Sequence, residues 1–237
     1  MIVMPANMTG WFFHCLARET GRLGHLYSPG AQRGPWPWFP FALDNGAFSC
    51  WDMTNNWFDD AKWEAMQPEW EKLIRWAAPT GMARWAIVPD VPGDMERTLQ
   101  KWESRLYRTV ADAEINTALA VQDGMIPANV RALSNKPSVI CVGGSTDWKW
   151  ETAEEWIRSF PRVHVLRCNS PEKLHLLESL GAESCDGTGW NRGDRRQTKG
   201  LEDWARKNAQ PMGYALTPHV CRASSNGRKG QQNLFAV

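Results

Sequence analysis

The stretch Arg162–Arg196, RVHVLRCNSPEKLHLLESLGAESCDGTGWNRGDRR, decides how the whole chain is read. Val163–Arg167 is short, apolar and β-branched, the composition of a buried strand. Ser170 then stands as a helix N-cap with Pro171 at the first helical position. Leu174–Leu180 supplies an apolar face, and Gly181 sits where a C-cap belongs. A second short strand ends at Cys185-Asp186-Gly187-Thr188-Gly189, a carboxylate followed by a glycine-loosened, basic loop. Parallel α/β folds place their chemistry at such strand ends, which makes Asp186 the leading candidate.

The same alternation extends outward. Phe41–Leu43, Trp85–Asp90, Thr117–Gly124 and Ser138–Gly144 read as buried strands; Thr9–Glu19, Asp94–Ala113, Pro127–Leu133, Thr152–Phe160 and Leu201–Asn208 read as helices, with Asp94 a cap. Asn56–Ala78 is one helix or two, Pro68 starting the second. Gly21–Pro40 reads as a greasy, proline-stiffened loop, Met212–Leu216 as a final strand, and Arg222–Gln232 as polar and basic. Near-continuously apolar strands alternating with helices predict a parallel sheet covered on both faces. Seven or eight such strands predict an α/β fold: a compact, single-domain TIM (β/α)8-type barrel over residues 1–220, followed by a polar basic tail over 221–237. A doubly wound open sheet is the alternative. No G-x-G-x-x-G follows an early strand and no P-loop motif is present, which disfavours both kinds of nucleotide site.

Bulk properties narrow the class. A net charge of +1 over 237 residues gives no global pull towards nucleic acid, so any such surface is a local patch. The fifteen tryptophans read mostly as packing residues. Six cysteines without a C-x-x-C pair indicate reduced thiols, and His14, His25, His164 and His175 lack metal-ligand spacing. No apolar run reaches the roughly 18 residues of a membrane helix, and the start lacks a signal-peptide pattern. The expectation is a soluble cytoplasmic protein with no membrane partner.

In a barrel, five strand ends bring together Asp44, Asp90, Gln122, Gly143-Gly144 and Asp186. Acids with different tasks, an amide with a donor and an acceptor, and a close backbone approach suit a planar polar ligand such as a nucleobase. The competing reading for each aspartate is a cap on the next helix.

Here the chain resembles the tRNA-guanine transglycosylase superfamily, barrel enzymes that exchange guanine for a 7-deazaguanine through an aspartyl intermediate. Asp44-Asn45-Gly46-Ala47-Phe48-Ser49 is similar to the family's D-S-G-G-F-Q strand end. Pro89-Asp90 stands where its base-recognition aspartate follows a later strand. Val121-Gln122-Asp123-Gly124 resembles V-Q-G, and Val142-Gly143-Gly144-Ser145 resembles I-G-G-L. Asn169–Lys173 and Gly181–Asp186 resemble the helix start G-x-G-T-P-E-D and the nucleophile segment G-V-D-x-F-D-C. The order holds from about Phe41 to Arg196. The resemblance implies Asp186 as nucleophile and Asp44 as general acid/base, with Asp90, Gln122, Gly143, Gly144, Asn45 and Phe48 binding the base. Arg192, Arg195, Arg196 and Lys199 would meet phosphates, against the simpler reading of a solvated loop. Trp190 would stack on a base or pack at the rim, and Cys185 would fill the wall.

The tRNA enzymes also carry a C-x-C-x-x-C…H zinc site, which has no counterpart here: Cys221 stands alone near His219. The expectation is therefore no metal cofactor, DNA rather than tRNA as partner, and a free 7-deazaguanine such as preQ0 as co-substrate. The short zinc-free DNA-guanine transglycosylases of phages and bacteria are the branch it resembles most. Three other readings stay open: a DNA glycosylase with water as acceptor, a catalytically silent nucleic-acid-binding relative, and an unrelated barrel enzyme for a phosphorylated metabolite.

Overall fold

The computed structural model describes residues 1–6, 10–52, 54–55, 57–191 and 195–210. Eight parallel strands form one sheet: β1 (Ile2–Pro5), β2 (His25–Tyr27), β3 (Phe41–Leu43), β4 (Ala83–Ile87), β5 (Thr117–Val121), β6 (Val139–Val142), β7 (Val163–Val165) and β8 (Ser184–Gly187). From β2 to β8 each strand pairs with its successor, and β8 pairs with β1, setting Asp186 opposite Met4. Parallel bridges Val3–Leu23 and Ala6–Leu26 join β1 to the β2 edge. The protein is an α/β barrel of the TIM (β/α)8 type.

Strand periodicity explains the two cores. Met4, Trp85, Ala118, Ala120, Val139 and Cys141 form one buried cluster, in which alanines leave room for the Trp85 indole inside the small barrel. Residues of the opposite parity, such as Val3, Ala86, Leu119, Ile140, Val142 and Val165, belong to the larger cluster with the helices. The helices are α1 (Trp11–Thr20), α2 (Asp60–Ala77), α3 (Met95–Trp102), α4 (Arg105–Ala111), α5 (Pro127–Ala132), α6 (Thr146–Ser159), α7 (Pro171–Leu180) and α8 (Arg195–Lys207). Their tryptophans Trp63, Trp70, Trp102, Trp156 and Trp204 are buried. No helix among the described residues is long and apolar enough to cross a membrane.

Several boundaries differ from expectation. The Gly21–Pro40 segment contains β2, a strand of three residues in a segment rich in glycine and proline. The Asp94–Ala113 helix is two, because Ser104 breaks in at an extended backbone angle and caps the second by accepting from Leu106 N. Both α6 and α8 begin earlier than expected. The punctuation of α7 is as read: Ser170 caps its start, and Gly181 closes it at φ 85°. Met212–Leu216 and the 221–237 tail lie outside the described residues.

Pro68 does not start a second helix; it sits inside α2. Trp63, Trp70, Leu73, Ile74 and Ala77 form a continuous buried face that holds the helix together across it. Pro68 itself is exposed and removes one intrahelical bond. An interior proline costs roughly 3 kcal/mol relative to alanine, and about 0.4–1 kcal/mol returns through a stiffer unfolded chain. Pro68→Ala is therefore expected to stabilise the fold by about 2–2.5 kcal/mol. A urea midpoint that stays put or falls would show that Pro68 is needed for packing.

Candidate active site at the carboxyl ends of the strands

A cavity of about 170 Å³ opens at the carboxyl ends of the strands. Asp44, Asn45, Phe48, Asp90, Gln122, Gly143, Gly144 and Asp186 all line it, so the barrel brings together the whole set expected to act on a base. Ala6, Leu26, Ile87 and Ala120, the upper side chains of the barrel interior, also line the cavity.

Asp44 continues β3, its N–H donating to Tyr27 O at 2.8 Å. Asn45 Oδ1 accepts from Ala47 N at 2.8 Å, which starts the 3-10 turn Ala47–Cys50. Gly46 supplies the left-handed backbone (φ 76°), and a Cβ there would lie 2.9 Å from Met66 Sδ. Ser28 Oγ donates to Asp44 Oδ2 at 3.1 Å. Burial, and then the charge of Asp186, push the Asp44 carboxyl above its ordinary range, against donors from Gly46 and Ser28.

Asp90 is gripped on both oxygens. Asn45 Nδ2 donates to Oδ1 and Gln122 Nε2 donates to Oδ2, each at 2.7 Å. Both amides are themselves fixed, since Asn45 Oδ1 takes Ala47 N–H and Gln122 Oε1 takes Gly93 N–H at 3.0 Å. Burial outweighs these bonds and raises the Asp90 carboxyl to about 6. The carboxylate is thus ionised at neutral pH and titrates just below it.

Asp186 lies on β8, 5% exposed. Its Oδ1 accepts from Arg167 N at 2.9 Å and faces His164 Nε2 at 3.2 Å. His164 Nδ1 in turn meets Ser184 Oγ at 2.8 Å. If Ser184 donates to Nδ1, the ring presents Nε2–H to the carboxylate, a Ser–His–Asp chain under the cavity floor. Among the described residues Oδ2 makes no hydrogen bond.

Arg167 was not among the expected site residues, yet it lines the cavity. It adopts φ 57°, uncommon for a non-glycine residue, which marks a locally over-determined turn. Its guanidinium donates to Gly144 O and lies 4.6 Å from the Phe48 ring centroid. A polar residue at the end of β7 was the available signal, but the run Val163–Arg167 reads as one strand. Ser28 and Thr188 also line the cavity. Ser28 follows the unread strand β2.

The expected nucleic-acid contacts fare differently. Phe48, 42% exposed, is the aromatic at the cavity, whereas Trp190 is 1% exposed and part of the core. A buried indole cannot stack on an incoming base; its place is to wall the turn beside Gly187. Arg195, Arg196 and Lys199 are exposed on α8, Arg196 4.0 Å from Glu172 and Lys199 paired with Asp203. Arg192 lies outside the described residues. Cys185 is fully buried beside Asp186, and burial pushes its thiol well up, which suits a wall and not a nucleophile. Among the described residues no group of three or more His, Cys, Asp or Glu side chains could hold a metal ion.

Fold and site define an α/β barrel with an acidic cavity at the carboxyl ends of its strands. No protein-family model and no curated protein matches this sequence. Among solved structures, a chain of the tryptophan synthase a2b2 complex from the hyperthermophile Pyrococcus furiosus is similar at 12% identity and a TM-score of 0.42. The match covers 71% of this chain and 64% of that one, and it bears on no activity here.

Proposed function

We propose that this protein exchanges guanine in DNA for a free 7-deazaguanine base through an aspartyl-glycosyl intermediate, as the transglycosylases it resembles do. One observation carries the reading. Eight residues picked by motif order along the chain line a single cavity, three of them carboxylates with different surroundings.

Asp186 attacks C1′ of the target nucleotide. The C1′–N9 bond breaks as the C1′–O bond forms, and the electron pair leaves with guanine. Asp44, shifted towards holding a proton, protonates the departing base. It then takes the proton from the incoming base, whose ring nitrogen displaces the Asp186 carboxylate from C1′. Asp90 accepts from the base's ring N–H and amino group, while backbone at Gly143-Gly144 approaches its edge. The target nucleotide must leave the stack, and Phe48 stands where it would be met.

The reaction is tested with guanine-labelled duplex DNA, single-stranded DNA and tRNA, each with and without preQ0. Label released from DNA only with preQ0 supports exchange. Release without preQ0, leaving alkali-labile sites, makes the protein a glycosylase, and no release from any substrate removes both.

The Asp90 carboxyl predicts a pH dependence. Its ionised form, needed to accept from the base, is lost as pH falls through about 6. Guanine affinity by calorimetry is expected to be flat from about pH 8 to 7 and to drop roughly tenfold per unit below pH 6. An affinity unchanged at pH 5 would remove Asp90 from base recognition.

A further inference from the structure

A groove of about 410 Å³ lies beside the active-site cavity, and Arg167 lines both. Thr146, Lys149 and Trp150 of α6 line its other side, with Ser170 and Lys173 at the start of α7. Three cations face it, and none of its lining residues among those described is acidic. Lys149 is 2% exposed, with its Nζ donating to Leu166 O at 2.8 Å. That is one acceptor for three donors.

Both ammonium groups lie over Trp150, its ring centroid 5.3 Å from Lys149 Nζ and 4.4 Å from Lys173 Nζ. Such contacts hold both lysines in place over the ring. The positive ends of α6 and α7, at Thr146 and Ser170, add to the same field. Burial, and then the Arg167 charge, hold the Lys149 ammonium down at about 8, the mark of a cation short of counter-charge.

We propose that this groove binds a phosphate group of the nucleotide whose base enters the cavity, with Arg167 dividing base from backbone. The proposal rests on the base-exchange reading and adds a phosphate site distinct from the cations of α8. It is tested by calorimetry with inorganic phosphate, deoxyguanosine, and deoxyguanosine 5′- and 3′-monophosphates. At least one monophosphate is expected to bind the protein about tenfold or more tighter than deoxyguanosine. Lys173→Gln and Lys149→Gln should remove most of that gain and leave deoxyguanosine affinity unchanged. Lys173 is partly exposed, so its variant carries the test even if the buried Lys149 is needed for folding. Equal binding of nucleoside and nucleotides overturns the phosphate site and leaves the base site standing. Binding of inorganic phosphate with none of deoxyguanosine overturns the link to a base and the exchange reading with it.

Discussion

Asp186→Asn is expected to reduce base exchange by about 10⁴-fold or more while leaving the fold intact. The amide keeps the volume of the carboxylate, and its oxygen can still accept from Arg167 N, which holds Oδ1 at 2.9 Å. It lacks the anionic oxygen that must attack C1′. Labelled DNA incubated with the wild type, without acceptor base, should give a protein–DNA species that survives denaturing electrophoresis. Asp186→Asn should give none, with an unchanged melting temperature. An adduct of undiminished yield in the variant would place the nucleophile elsewhere. Asp44→Asn separates the two roles: loss of proton transfer costs typically 10²–10⁴-fold. Its effect should be smallest with a leaving base that departs without protonation.

Gly144→Ala is expected to cost about 2–4 kcal/mol, combining the left-handed backbone penalty with overpacking. Gly144 has φ 67°, and a Cβ would sit 2.4 Å from Asp123 Oδ2 and 2.7 Å from Trp148 Cε3. Neither neighbour yields easily. Asp123 is tied to Ser145 N at 2.6 Å and to the Ser145 hydroxyl, and Trp148 packs against the core. For a protein of this size the melting temperature should fall by roughly 5–15 °C. Because Arg167 donates to Gly144 O, base affinity should fall as well. An unaffected melting curve would mean that the loop has room to move, and the close backbone approach at Gly143-Gly144 would lose its support.

The strands from Phe41 onward that end in a polar residue or glycine, and the helices whose caps were read, were legible, because apolar continuity and capping residues are local signals. Asp94, Ser170, Pro171 and Gly181 each did what their chemistry dictates. What escaped was short or set by tertiary context. Ile2–Pro5 and His25–Tyr27 were not read as strands, the second because it lies in a segment rich in glycine and proline, and Pro68 is carried by a buried face that overrides its local preference. Within the site, Asp44, Asp90, Gln122 and Asp186 were legible as polar residues at strand ends. His164 was not, since a histidine in an apolar strand reads as packing; its partnership with Asp186 depends on the β7–β8 register that pairs His164 with Ser184. Trp190 misled because proximity in sequence to Asp186 says nothing about which way an indole turns.

The donor that steadies Asp186 is a peptide N–H, not a side chain. A side chain can be exchanged by one codon change; a main-chain donor persists under every substitution at position 167 except proline. Orientation of the proposed nucleophile is therefore written into the path of the chain between β7 and β8. Mutational scanning at 167 would report on the guanidinium's work at Gly144 and Phe48 and stay blind to the contact with Asp186. Only a change that removes the amide hydrogen itself, such as an ester in place of the peptide bond, would reveal it.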